Sequence, residues 1–107
     1  MKASELKFPG LECIRPSEPE ISGGYTSDLL SDVMANLKEG DALITIQAHK
    51  NTIAVAALMG ASAVIFCHGR VVSPDVLEAA AKENISVFVS TGNQFNTTCA
   101  FAKALGE

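Results

Sequence analysis

Residues 42–67 read ALITIQAHKNTIAVAALMGASAVIFC. An aliphatic, β-branched run at 42–47 gives way to helix formers at 51–59 and then to a second apolar run, Ala63–Cys67. Strand-length apolar segments on either side of a helix predict a β–α–β unit, with parallel strands and a right-handed crossover. Both runs are continuously apolar rather than alternating, which marks strands covered on both faces. The expected fold is therefore α/β: a layered α/β/α domain with a mostly parallel sheet.

The same signals continue downstream. Ser73-Pro74-Asp75 offers a cap, a proline at the first helical position and an acid in the first turn. Val76, Leu77, Ala80 and Ala81 are the expected inward face. After a Glu83-Asn84 turn, Ile85–Val89 is the third strand, and Phe95, Thr98, Cys99, Ala102 and Leu105 form an apolar stripe on a closing helix. Upstream, Thr26 or Ser27 is the expected cap of a helix with Asp28 in its first turn, where a negative charge meets the positive end of the dipole. Leu29, Leu30, Val33, Met34 and Leu37 share a face of that helix, Lys38 lies in its last turn, and Gly40 is placed for a left-handed C-cap. The first twenty residues are the least regular: Ser4 heads a short helix ending at Pro9-Gly10, Leu11–Ile14 reads as a strand, and Pro16 and Pro19 bracket a turn. Ser22-Gly23-Gly24-Tyr25 lacks both GxGxxG and GxxxxGK[ST], so it reads as a tight turn or bulge and not as a phosphate loop.

The chain has 107 residues, 48% of them hydrophobic, enough for one domain over 1–107 with its own core. Eight Lys and Arg against twelve Asp and Glu give a net charge of −4, and the basic residues are scattered, which argues against nucleic acid as a partner. No apolar run reaches the about 18 residues of a membrane span, and MKASELKFPG has no signal-peptide core, so a cytoplasmic location is expected. Cys13, Cys67 and Cys99 are odd in number and nowhere spaced as CxxC, so buried free thiols are expected. Residues 51–59 carry no charge, which predicts cover on the outer side of that helix by a second subunit, hence a homodimer.

Parallel strands joined by helices align their carboxyl ends, and ligands settle outside that edge. The three loops there supply Gln47, His49 and Lys50; then His68, Gly69 and Arg70; then Ser90, Thr91, Gly92 and Asn93. Both histidines, a lysine and an arginine thus gather in an acidic protein, which makes the local field positive and suits a phosphate or carboxylate. The expected ligand-binding residues are Gln47, His49, Lys50, His68, Gly69, Arg70, Thr91 and Asn93. A metal held by His49, Cys67 and His68 is disfavoured, because strand alternation turns Cys67 away from its neighbour and no HxxxH pair is present. The three loops hold no acid to orient a catalytic base, so neither catalysis nor a cofactor is expected.

The block Gly23–Asn36, GGYTSDLLSDVMAN, followed by a strand and the IQAHK loop, then AVIFCHGR and SPDVLEAAAKENISVFVS, resembles the DRTGG domain. The resemblance runs from about residue 3 to the end. It implies an α/β fold similar to the N-terminal domain of HPr kinase/phosphorylase and, through it, to that of Mur ligases. Domains of this type occur beside CBS domains and in some phosphotransacetylases, and free-standing versions occur in anaerobes, sometimes near iron-only hydrogenase components. The resemblance brings no catalytic residues, since the kinase activity belongs to a separate P-loop domain and this chain has no Walker motif. His49-Lys50 stands where the family has Asp-Arg, and Cys67-His68-Gly69 where it has Thr-Gly-Gly, so that Gly69 alone is kept. The function implied is a regulatory module sensing a small anionic metabolite or nucleotide. The alternative is an interaction subunit of a hydrogenase- or kinase-associated complex with no ligand of its own.

Overall fold

A computed structural model describes residues 1–106. A short 3-10 turn at Ala3–Glu5 precedes β1 (Leu11–Arg15), β2 (Gly23–Thr26), α1 (Leu30–Asn36), β3 (Asp41–Thr45), α2 (Lys50–Leu58), β4 (Ala63–Phe66), α3 (Pro74–Lys82), β5 (Ser86–Ser90) and α4 (Gln94–Leu105). The five strands form one sheet in the order β1-β5-β4-β3-β2. β2 to β5 are mutually parallel, and β1 runs antiparallel along β5. The layered α/β architecture expected from residues 42–67 is the one observed.

Each crossover from β2 to β5 steps one strand in the same direction, so right-handedness puts α1, α2 and α3 side by side on one face. Alternation along the strands then divides the core in two. Leu43, Val64, Phe66 and Val87 meet Val33, Leu37, Ile53, Ala56, Val76 and Ala80 of those helices. Ala42, Ile44, Ala63, Ile65, Cys67 and Phe88 meet Phe101 of α4 and the N-terminal residues Ala3, Leu6 and Ile21.

Several expectations are corrected. Ser22-Gly23-Gly24-Tyr25 is no turn: Gly23–Thr26 is edge strand β2, in register with Asp41–Ile44 of β3. Its glycines serve close approach, since a Cβ on Gly24 would stand 2.6 Å from the Phe101 ring and one on Gly23 2.6 Å from the Asp41 carboxylate. Because pairing runs through Thr26, the next helix begins only after Leu29, and neither Thr26 nor Ser27 caps it. Gly40 is left-handed, at φ 90°, but in the turn into β3 and not at the helix end, which falls at Asn36. Leu29 and Met34 face solvent, leaving Val33 and Leu37 as the buried anchors of α1.

On α4 the inward residues are Thr97 and Phe101, with Phe95 and Cys99 exposed, a helix rotated from the expected stripe. Cys13 is exposed as well, so Cys67 alone is a buried thiol. The N-terminal turn is capped at Lys2, whose N–H donates to Glu5 Oε1 at 2.7 Å, and not at Ser4. Helix α2, uncharged after Lys50, buries Thr52, Ile53 and Ala56 between α1 and α3, while its Leu58 is exposed.

Candidate functional site

Four loops leave the carboxyl ends of β2, β3, β4 and β5, one more than sequence reading counted, because β2 had passed for a turn. The additional loop brings Asp28 to the edge. Its Oδ1 accepts from Thr45 Oγ1 at 2.8 Å, from the Ile46 N–H at 2.9 Å and from Gln94 Nε2 at 3.1 Å. Gln47 Nε2 donates to the Asp28 carbonyl at 2.9 Å, and the Gln47 carbonyl accepts from Thr52 Oγ1 at 2.7 Å. One carboxylate thereby ties the loop after β2 to the end of β3 and to the first turn of α4. This is also why β3 ends at Thr45 and not at Gln47: the Ile46 N–H goes to Asp28.

The loop after β4 is a tight turn. His68 and Gly69 are both left-handed, with φ of 62° and 59°. The His68 N–H donates to the Gly92 carbonyl at 2.9 Å and the Gly69 N–H to the Ser90 carbonyl at 2.8 Å, locking this turn onto the loop after β5. The His68 and Arg70 side chains remain exposed. Cys67 points the other way into the core, where burial pushes its thiol up despite a Thr97 hydroxyl nearby. Thr91 sits against the start of β1, its N–H donating to the Gly10 carbonyl at 3.0 Å. Asn93 caps α4, its Oδ1 accepting from the Asn96 N–H at 2.8 Å, which gives the helix its N-terminal order.

His49 and Lys50 open α2, and they share a cavity of about 250 Å³ with Ser73, Asp75 and Val76 at the start of α3. The Ser73 hydroxyl bonded to Asp75 holds that carboxyl below the ordinary range; the Val76 N–H and the Lys50 ammonium act in the same direction. Asp28 thus ties the loop after β2 to the end of β3, backbone bonds tie the loop after β4 to the loop after β5, and a cavity lies between the starts of α2 and α3. Lys50 finds its near neighbour in Asp75, whereas His68, Gly69 and Arg70 belong with Ser90–Gly92.

Among the described residues no group of three His, Cys, Asp or Glu side chains is placed to hold a metal ion. The exposed Lys50 and Arg70 side chains supply the positive charge of this edge, with the Asp75 carboxylate beside Lys50. Sequence reading missed Asp28, Thr45 and Gln94. The available signal was the Gly23–Thr26 run, ending two residues before Asp28, which becomes a strand only through its pairing with β3.

The molecule is a layered α/β domain whose strand-end loops gather at one edge of a mostly parallel sheet. The DRTGG domain model matches residues 26–104, and the chain belongs to that family. The structure is similar to that of the CBS and DRTGG domains of the regulatory region of Clostridium perfringens pyrophosphatase, complexed with its activator diadenosine tetraphosphate. The TM-score is 0.70 at 17% identity, over 88% of this chain and 42% of that one, so this chain spans less than half of its length. No curated protein matches this chain. Among the described residues no helix is long and apolar enough to cross a membrane.

Proposed function

We propose that this DRTGG domain is a non-catalytic regulatory module that senses a small anionic metabolite or nucleotide at the carboxyl edge of its sheet. One observation carries the reading: Lys50 and Arg70, with His49 and His68 beside them in sequence, are exposed in loops that leave the same edge of the sheet. An anion arriving there meets the Lys50 and Arg70 charges, with the Asp75 carboxylate beside Lys50 as its competitor. Gly69 and Thr91 line the proposed site, and Gln47 and Asn93 serve it by holding its loops. Agreement comes from the nucleotide activator bound by the solved regulatory region of similar fold. Occupancy acts by favouring one arrangement of the loops, shifting partner recognition by no more than the difference in ligand affinity between arrangements.

A thermal-shift panel of adenine nucleotides, acetyl phosphate and UDP-sugars tests this. At least one class is expected to raise the melting temperature, and Lys50→Ala combined with Arg70→Ala to abolish the rise. A panel without any shift would favour the second reading, an interaction subunit for hydrogenase- or kinase-type components. That reading draws on exposed Met34 of α1 and Leu58 of α2, at 45% and 74%. The same two side chains support the homodimer we propose, on adjoining helices whose outer faces offer apolar area. Light scattering is expected to give a dimer at micromolar concentration and a monomer for Leu58→Glu. On residue resemblance we further read the fold as akin to the HPr-kinase and Mur-ligase N-terminal domains.

A further inference from the structure

The sheet ends on two outer strands, β1 and β2, and they are protected unequally. β1 carries Glu12 and Arg15, and its register with β5 shifts between Cys13 and Arg15. Charge and a bulge are common means by which an outer strand resists pairing with another chain. β2 has neither: Gly23–Thr26 holds no charged residue and no proline, and it runs in unbroken register with Asp41–Ile44. Among the described residues no strand pairs with its outer side, which leaves a row of main-chain N–H and C=O groups there.

The space beside β2 is open on both faces of the sheet. Toward α4 lies a largely apolar cavity of about 230 Å³, against Gly24, Ile44, Phe101, Ala102 and Leu105. Toward the end of α1 lies a polar one of about 530 Å³, against Gly23, Tyr25, Asn36, Lys38 and Asp41. Gly24 lines both and is itself exposed. Lys38 is exposed too, and among the described residues its ammonium has no ion-pair partner. Asp41, in the same cavity, is 9% exposed, and its carboxylate accepts from the Lys38 N–H at 2.9 Å. The accessible charge there is therefore positive.

Successive side chains of a strand point to opposite faces of its sheet. A strand added beside β2 sends one side chain into the apolar cavity and the next toward Lys38, so an apolar residue adjoining an acid satisfies both. A second copy of β2 would not, because its sequence, GGYT, contains no acid. We infer that the outer side of β2 takes an extended peptide segment of a partner protein, paired main chain to main chain, in which an apolar residue adjoins an acidic one. With only four residues in β2, the main-chain bonds set the alignment and the two cavities set the sequence preference. The inference is independent of the anion site at the carboxyl edge.

Fluorescence anisotropy of the full chain with the labelled peptide Thr-Leu-Glu-Val-Thr tests it, and saturable binding is expected. Lys38→Glu, at an exposed position, is expected to weaken binding about fivefold, and the peptide Thr-Leu-Lys-Val-Thr to restore it to that variant. Ala102→Phe, which fills the apolar cavity, is expected to abolish binding; melting curves check that both variants are folded. N-methylation of alternate peptide nitrogens distinguishes strand addition from loose adhesion, since one alternate set abolishes binding and the other leaves it intact. No binding of this peptide, or binding indifferent to Lys38→Glu and to both methylated sets, would overturn the inference. So would a dimer that the peptide disperses, which would assign β2 to a second copy of the chain.

Discussion

The two edges of the sheet are held by different chemistry. At the amino edge the loops are joined main chain to main chain: Ser22 N–H to the Gly40 carbonyl at 3.0 Å, Gly40 N–H to Gly60 at 2.9 Å, Ser62 N–H to Asp41 at 2.9 Å and Ser86 N–H to Ser62 at 3.0 Å. At the carboxyl edge, side chains of Asp28, Thr45, Gln47 and Gln94 perform much of that task. The charges differ too. Glu18, Glu20, Glu39 and Glu83 are exposed at the amino edge, and His49, Lys50, His68 and Arg70 at the other. Backbone ladders depend little on residue identity, whereas side-chain ties can be altered one residue at a time. The loops after β2 and β3, tied by side chains, are therefore the part of the edge that specificity can reshape without disturbing the fold.

The contrast can be broken most strongly at Asp28. Asp28→Ala leaves the Thr45 hydroxyl, the Ile46 N–H and the Gln94 amide without their acceptor, and is expected to lower the unfolding free energy by about 2–3 kcal/mol in urea titration. Hydrogen exchange should then quicken in the loops after β2 and β3 and remain slow at the amino edge; uniform quickening would show that the edges are not separable.

Asp41 is the counterpart at the amino edge, with one carboxylate oxygen accepting from the Lys38 N–H at 2.9 Å. Asp41→Ala removes a single such bond, so a loss of about 1–2 kcal/mol is expected. A loss exceeding that of Asp28→Ala would invert the ranking.

Among the described residues, the two non-glycine residues with positive φ sharpen the comparison, His68 at 62° and Asn84 at 54°, one at each edge. Asn suits that conformation, so His68→Asn is expected to leave stability within about 0.5 kcal/mol of wild type or to raise it slightly. A clear fall in melting temperature would give the imidazole a structural role instead.

The smallest effect is acidic. Asp75 titrates below its unfolded value of 3.8 in the native state, chiefly through Ser73. Its stabilising contribution is thus present above that value and fades as pH falls through the lower native one. Asp75→Asn should reduce stability at neutral pH and flatten the decline below about pH 4, read from urea midpoints across the pH range.

How far the sequence led differs from element to element. The runs 42–47, 63–67 and 85–89 marked three strands within a residue or two, because a strand covered on both faces must be apolar throughout. Ser73-Pro74-Asp75 located the start of α3 for an equally local reason, proline at the first helical position. The faces of α1 and α4 were not legible. Apolar residues lie on more than one side of each, and only docking decided that Val33 and Phe101 go inward while Met34 and Phe95 stay out. Along the carboxyl edge, the cations could be named from loop positions, but Asp28 could not.

The chain alone therefore determined β3, β4 and β5, the helices between them and the parallel core of the sheet, since apolar period and helix-start chemistry act over a few residues. Tertiary structure decided that Gly23–Thr26 is a strand and Asp28 a hub for the loops. Pairing with β3 and contact with Phe101 of α4, more than seventy residues away, convert two glycines from a plausible turn into a close-packed edge.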